Sequence, residues 1–109
     1  MDPVVCLVTT PPDQALAIAS ALVERELVAC VNIVAGVQSV YRWNGTVERD
    51  EESLLVIKTT RDAVGALNDA LGELHPYDTF ELVALDVAGG SPDYLDWIGR
   101  SVARPEDRG

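Results

Sequence analysis

One β-hairpin constrains the fold of this 109-residue chain more than any other feature. Asn44-Gly45 is a preferred pair for a type I′ turn, in which both central residues have positive φ. The flanking segments 29–43 and 46–60 each have room for about a dozen strand residues, or roughly 40 Å. A domain of this length has a radius of gyration of about 13 Å. We therefore expect the tip of the hairpin to project beyond the core.

The projecting tip carries large apolar side chains. Tyr41 and Trp43 lie in the last residues before the turn, where an isolated chain would leave them in water. Exposed aromatic groups of this size mark interaction surfaces. We predict that another copy of the same chain covers them.

Composition limits the classes of partner. The chain has a net charge of −10 and a pI near 4.2. Nucleic acids and anionic membranes select cationic surfaces, so neither is predicted as a partner. A hydrophobic content of 48% is enough for one globular core. We predict a single domain over residues 1–109 whose end, about 104–109, is flexible.

The sequence carries no basic, apolar leader pattern at its start, and no segment approaches the roughly 20 apolar residues of a membrane span. We therefore expect a cytoplasmic protein. Its two cysteines, Cys6 and Cys30, are then expected to be reduced thiols.

Hydrophobic periodicity predicts the order β-α-β-β-α-β followed by a further helix. The first strand covers residues 4–9, and Thr10 with Asp13 is expected to cap the first helix. Gly36 in the first arm of the hairpin favours a β-bulge. The first helix is predicted to bury one apolar stripe: Leu16, Ala19, Leu22, Val23 and Leu27.

The second half of the chain repeats this pattern. Its helix is expected to end at His75-Pro76, because the residue before a proline disfavours the helical region. A strand over residues 80–88 and a helix over 91–102 follow. The core face of the second helix is formed by Val64, Leu67, Leu71 and Leu74. Right-handed crossovers then give an α+β ferredoxin-like sandwich with strand order 4-1-3-2.

Topology and composition limit the catalytic chemistry. The third strand separates Cys6 from Cys30 by roughly 10 Å, beyond the reach of a disulfide. A nucleophile such as Cys30 would need His75, the one histidine, as its base, and no local motif supports that pair. The sequence holds no Cys-x-x-Cys zinc motif and no P-loop lysine. We predict that the chain is not an enzyme.

Several segments together resemble the CutA divalent-cation tolerance family. They are residues 29–33 (ACVNI), 40–45 (VYRWNG), 54–59 (LLVIKT), 75–77 (HPY) with Glu81, and 91–97 (SPDYLDW). The resemblance implies a ferredoxin-like fold assembled as a homotrimer through long hairpin strands, similar in architecture to PII-type signalling proteins. It also implies that no cofactor is required. Asp78 and Arg42 depart from the family pattern, which usually has Glu and an aromatic residue at these positions.

A metal site is one prediction for the end of the second helix. His75 and Glu81, beside Tyr77 and Asp78, offer imidazole and carboxylate ligands for copper or another divalent ion. A threefold interface would supply each ligand three times. The alternative is structural: Pro76 ends the helix, Tyr77 packs, and the carboxylates are solvated.

A ligand cleft between subunits is the second prediction. Its residues combine aromatic, charged and hydrogen-bonding side chains: Cys30, Asn32, Tyr41, Trp43, Lys58, Tyr77 and Asp78. Lys58, the one lysine of the chain, would supply the charge for a small anionic ligand. In the alternative, Asn32 bonds the backbone, the aromatic residues pack at a subunit interface, and Lys58 pairs with a carboxylate.

Together these features predict a non-catalytic homotrimer that acts in divalent-cation tolerance and has copies of itself as its main partner. The alternative function is that of a PII-like regulatory sensor. Such a sensor would bind a small anionic metabolite in the intersubunit cleft and report to another protein.

Overall fold

A four-stranded antiparallel sheet carries the helices of this protein. The structure is a computed structural model that describes residues 2–104. The strands are β1 Pro3–Thr10, β2 Cys30–Trp43, β3 Thr46–Thr60 and β4 Val83–Asp86, and the helices are α1 Ala15–Glu24, α2 Val64–Leu74 and α3 Pro92–Ser101. The strand order is β2-β3-β1-β4. This confirms the predicted ferredoxin-like α+β fold and its strand order.

The core lies between one face of the sheet and the helices α1 and α2. Alternate residues of β1 and β3 point to this face, since side chains along a strand alternate between its two sides. The buried cluster joins Val4, Cys6 and Val8 of β1 to Leu55 and Ile57 of β3, Leu22 of α1 and Leu67 and Leu71 of α2. Helix α3 packs against β1 and β3, and its Ile98 is buried.

The hairpin has the predicted length and turn. Asn44 and Gly45 have φ values of 49° and 77°, as a type I′ turn requires. The pairing of β2 with β3 shifts register between Val34 and Val37, and Gly36 there has a φ of +73°. The predicted bulge at this glycine is confirmed.

The tip of the hairpin extends past the rest of the sheet. Strand β1 reaches β3 only as far as the pair Thr10 and Ser53, so residues 46–52 pair with β2 alone. Seven strand residues correspond to roughly 23 Å. The radius of gyration is 14.4 Å and the long axis is 43 Å, consistent with a projecting ribbon.

The predicted cap of the first helix is wrong. Thr10 belongs to β1, where it pairs with Ser53, and its buried hydroxyl has no hydrogen-bond partner among residues 2–104. A 3-10 turn over Pro12–Gln14 precedes α1, and no side chain caps either element. The strand extends one residue further than predicted because β3 continues to pair with it.

The predicted core face of α1 is also partly wrong. Leu16 is 71% exposed and Val23 is 42% exposed. The helix begins at Ala15, and the stripe that meets the sheet is Ala15, Ile18, Ala19 and Leu22. Small alanine side chains let this stripe lie close to the sheet, which turns Leu16 and Val23 outward.

Strand β4 is shorter than the predicted 80–88. It pairs with β1 only over Val83–Asp86, and Phe80 lies outside the strand, where it stacks on His75 with ring centroids 5.2 Å apart. Cys6 and Cys30 are free thiols on strands separated by β3.

The predicted flexible end at 104–109 lies outside the described residues except for Arg104. No helix within residues 2–104 is long and apolar enough to cross a membrane.

Candidate functional site

An open groove of about 710 Å³ lies between the hairpin tip and the segment that leads from α2 to β4. Tyr41 and Trp43 of β2 line it from the ribbon side. Four carboxylate side chains also line it: Asp50, Glu52, Asp78 and Glu81. Tyr77 and Phe80 add two more aromatic rings. The groove therefore combines aromatic walls with a concentration of negative charge.

His75 fixes the segment that forms the far wall of this groove. It ends α2 with an extended backbone, ψ 137°, as the following proline requires. Its Nε2–H donates to the Thr9 carbonyl oxygen at 2.8 Å, and its Nδ1 accepts from the Tyr77 backbone N–H at 3.2 Å. The Tyr77 ring lies 5.0 Å from the imidazole. His75 thereby places Tyr77 opposite the ribbon.

The electrostatic field of the groove is negative. The Tyr41 hydroxyl donates a hydrogen bond to Asp50, and this bond, with the field of nearby carboxylates, raises the pKa of Tyr41 to about 12. Burial, followed by the charges of Glu52, Asp50 and Asp13, raises the pKa of Tyr77. Both phenols stay protonated at neutral pH and can donate hydrogen bonds.

A second cluster lies at the other end of the ribbon. Cys30 and Lys58 are direct cross-strand partners, and the Lys58 ammonium donates a hydrogen bond to Asn32 Oδ1. The Cys30 thiol lies 4.0 Å from the same oxygen. Burial and then the neighbouring Cys30 raise the pKa of Tyr94 in α3. This basal cluster of Cys30, Asn32, Lys58 and Tyr94 contains the positive charge that an anionic ligand needs.

The structure therefore divides the predicted cleft between two places. Register puts Asn32, Tyr41 and Lys58 on the same face of the ribbon, because the extra residue of the bulge shifts the side-chain alternation of β2 by one position. Asn32 and Tyr41 are nine residues apart, which corresponds to roughly 30 Å of strand. Within one chain, the basal cluster and the groove at the tip do not meet.

The proposed metal ligands are positioned differently from one another. His75 is 6% exposed, and the bonds to Thr9 and Tyr77 use both ring nitrogens. Glu81 is exposed at the groove. Residues 2–104 contain no group of three or more His, Cys, Asp or Glu side chains arranged to hold a metal ion. Metal binding by His75 and Glu81 stays a prediction, and it requires that a hydrogen bond of the imidazole opens.

Sequence reasoning missed four residues of these sites: Asp50, Glu52, Phe80 and Tyr94. For the first two, a signal was available, since period-two alternation across the Asn44-Gly45 turn places them on the face of Tyr41 and Trp43. Tyr94 lies in the segment that carried the family resemblance, but its position over the sheet depends on how α3 packs. Phe80 was missed because the sequence pattern places it at the start of the predicted strand 80–88.

Fold and site together define a class of protein. It is a ferredoxin-like domain with a projecting β-ribbon, an aromatic and acidic groove at the tip of that ribbon, and a cluster around Lys58 at its base. Exposed aromatic patches and grooves of this kind are typical of interaction and ligand-binding surfaces.

Comparison with known proteins narrows this class. The family model of the CutA1 divalent ion tolerance protein matches residues 4–101. The divalent-cation tolerance protein CutA of Thermus thermophilus is 50% identical over 86% of this chain and 92% of its own length. The crystal structure of CutA1 from Oryza sativa, 38% identical, superimposes with a TM-score of 0.92 over 94% of this chain and 95% of the rice chain.

A third similar structure is described as a PII-like protein CutA from Nostoc, in apo form. It is 32% identical, with a TM-score of 0.86 over 92% of this chain and 97% of its own. Together these matches extend over nearly all of the described residues. The chain belongs to the CutA1 divalent ion tolerance protein family.

Proposed function

We propose that this chain acts in divalent-cation tolerance as a homotrimer without catalytic turnover. The observation that carries the proposal is the exposure of the ribbon tip: Trp43 is 53% exposed and Tyr41 is 40% exposed. Val40 and Val47 beside them are also exposed. A surface of this kind is expected to be covered by a partner, and a second copy of the chain is present at equal concentration.

Unpaired strand edges support the same assembly. Residues 46–52 of β3 have a partner on one side only, and β4 is an edge strand whose Val83 and Leu85 are about half exposed. Such edges are templates for pairing with another chain. The ribbon of one copy and the edge of the next are different surfaces, so their contact is head-to-tail, and such a contact forms a ring when the rotation between copies closes. Three copies is the number that the family resemblance implies.

The contacts of His75 support a non-catalytic role. A base for the Cys30 thiol would need a free ring nitrogen, and both nitrogens of His75 are hydrogen-bonded elsewhere. Cys30 instead neighbours Asn32 and Lys58 at the base of the ribbon. The proposed location is the cytoplasm, where two free cysteines remain reduced.

Copper calorimetry separates a specific metal site from general cation attraction. Because His75 is buried and bonded at both nitrogens, we expect wild type and His75→Ala to bind Cu²⁺ equally weakly, as an acidic protein attracts cations. Glu73→Gln, an exposed carboxylate outside the groove, serves as the control for loss of one charge. A tight, saturable phase that His75→Ala abolishes and Glu73→Gln keeps would assign copper to His75.

A sensor of small anions is a second candidate, favoured by the basal cluster. Lys58 is held in place by its bond to Asn32 on the exposed face of the ribbon. We expect a small organic acid or nucleotide to raise the melting temperature of the wild type, and we expect Lys58→Met to abolish that increase because it removes the charge and keeps the apolar stem. Arg104→Met, an exposed cation, is the control. A shift that persists in Lys58→Met would contradict this function.

A further inference from the structure

The two sides of the ribbon tip carry opposite charges. Side chains alternate along a strand, and residues that pair directly across two strands share a side. Tyr41 and Trp43 therefore lie on one side, named here the aromatic face. The same side carries the carboxylates of Glu48 and Asp50.

The opposite side of the tip, the arginine face, consists of Val40, Arg42, Val47 and Arg49. Val40 pairs with Arg49, and Arg42 pairs with Val47. All four side chains are exposed, and the two valines are 62% and 59% exposed. Within the described residues, no carboxylate forms an ion pair with Arg42 or Arg49. Exposed apolar side chains next to unpaired arginines are typical of a protein interface, where arginine is enriched.

The groove at the tip has the chemistry that the arginine face lacks. It combines the aromatic face with Tyr77 and with the carboxylates of Asp78 and Glu81, and its lining within residues 2–104 contains no Lys, Arg or His. Guanidinium groups stack on aromatic rings and form paired hydrogen bonds with carboxylates. Neither Arg42 nor Arg49 lines the groove of its own chain, because both lie on the other side of the ribbon. The complementary surface must therefore come from a second copy.

Charge selects how two ribbons meet. Two aromatic faces in contact would bring Glu48 and Asp50 of both copies together, and two arginine faces would oppose their cations. Like charges across an interface are unfavourable, whereas unlike charges favour association. Contact between unlike faces is head-to-tail. It is also continuous with the proposed contact at the β4 edge, since Asp78 and Glu81 lie just before that strand.

We propose that the arginine face of one copy enters the groove of the next copy, where Arg42 and Arg49 pair with the carboxylates of Asp78 and Glu81 and the valines cover the aromatic face. This pairing rests on the proposed homotrimer. It adds which side of the ribbon each copy presents and which residues of the next copy receive it. Each chain has one arginine face and one groove, so every contact around the ring is the same.

Reversing the charge of the arginine face tests the pairing. Arg42→Glu with Arg49→Glu sets carboxylates against carboxylates, and we expect it to raise the concentration at which half of the trimer dissociates at least about 100-fold. Light scattering over a dilution series measures this midpoint. Arg100→Glu with Arg104→Glu makes the same charge change at exposed positions near the end of α3 and is expected to keep the wild-type midpoint. Equal weakening by both double variants would reduce the effect to net charge and would overturn the proposal.

A charge swap within one chain is the second test. Adding Asp78→Arg and Glu81→Arg to the Arg42→Glu, Arg49→Glu variant restores unlike charges at every contact and the wild-type net charge of −10. We expect this fourfold variant to recover the mass of the trimer, including the case in which the double variant does not fold by itself. A fourfold variant that stays monomeric or unfolded would contradict the pairing.

The mass of the wild type separates this pairing from the assembly itself. A wild-type trimer whose mass and midpoint are unchanged by Arg42→Glu with Arg49→Glu would overturn the role of the arginine face and leave the homotrimer intact. A monomeric wild type would overturn both.

Discussion

Trp43→Asp is expected to convert the assembled protein into single chains of 11.7 kDa. Trp43 is 53% exposed at the ribbon tip, so its burial by another copy removes roughly half of a tryptophan surface from water, about 2–3 kcal/mol per chain. An aspartate there loses this gain and adds a charge that the interface would have to desolvate. Light scattering after size-exclusion chromatography at micromolar concentration measures the mass.

Two further variants make this result specific. Trp43→Phe keeps an aromatic ring and is expected to remain assembled. Ser20→Asp adds the same charge on the exposed side of α1 and is expected to leave the mass unchanged. If Trp43→Asp keeps both the mass and the melting temperature of the wild type, Trp43 does not lie in a subunit interface.

Leu22→Ala is expected to lower the free energy of unfolding by about 2–5 kcal/mol, because Leu22 is fully buried in the core cluster and its loss leaves a cavity. Leu16→Ala, on the same helix, is the matched control. Leu16 is exposed, so its truncation is expected to change the free energy by no more than about 0.5 kcal/mol. Urea denaturation at equal chain concentration measures both, since oligomer stability depends on concentration.

This pair of variants also tests which face of α1 is buried. The sequence predicted Leu16 in the core, and the structure turns it outward. A loss for Leu16→Ala as large as that for Leu22→Ala would mean that another copy covers this side of the helix. It would then extend the subunit interface beyond the ribbon.

The hairpin was predictable because its determinants are local. Asn44-Gly45 defines the turn, Gly36 marks the bulge, and the apolar content of the two arms defines the strands. The buried face of α1 was not predictable. Apolar residues occupy two faces of this helix, one with Leu16 and Val23 and the other with Ile18 and Leu22. Packing against the sheet decides between them, and a single sequence does not contain that contact.

The candidate site was predictable in its parts but not in its arrangement. Tyr41 and Trp43 were expected together at the tip, and they do line one groove. The far wall depends on the bond between His75 and the Thr9 carbonyl, which joins residues 66 positions apart. The separation of Lys58 from Tyr41 along the ribbon follows from strand register. Long-range contacts of this kind leave no local pattern in the sequence.

The mass of the native chain in dilute solution tests the proposed assembly most directly. Light scattering at micromolar concentration is expected to give three times 11.7 kDa, about 35 kDa. A mass of 11.7 kDa would leave the aromatic ribbon exposed to water in a stable monomer and would contradict the account.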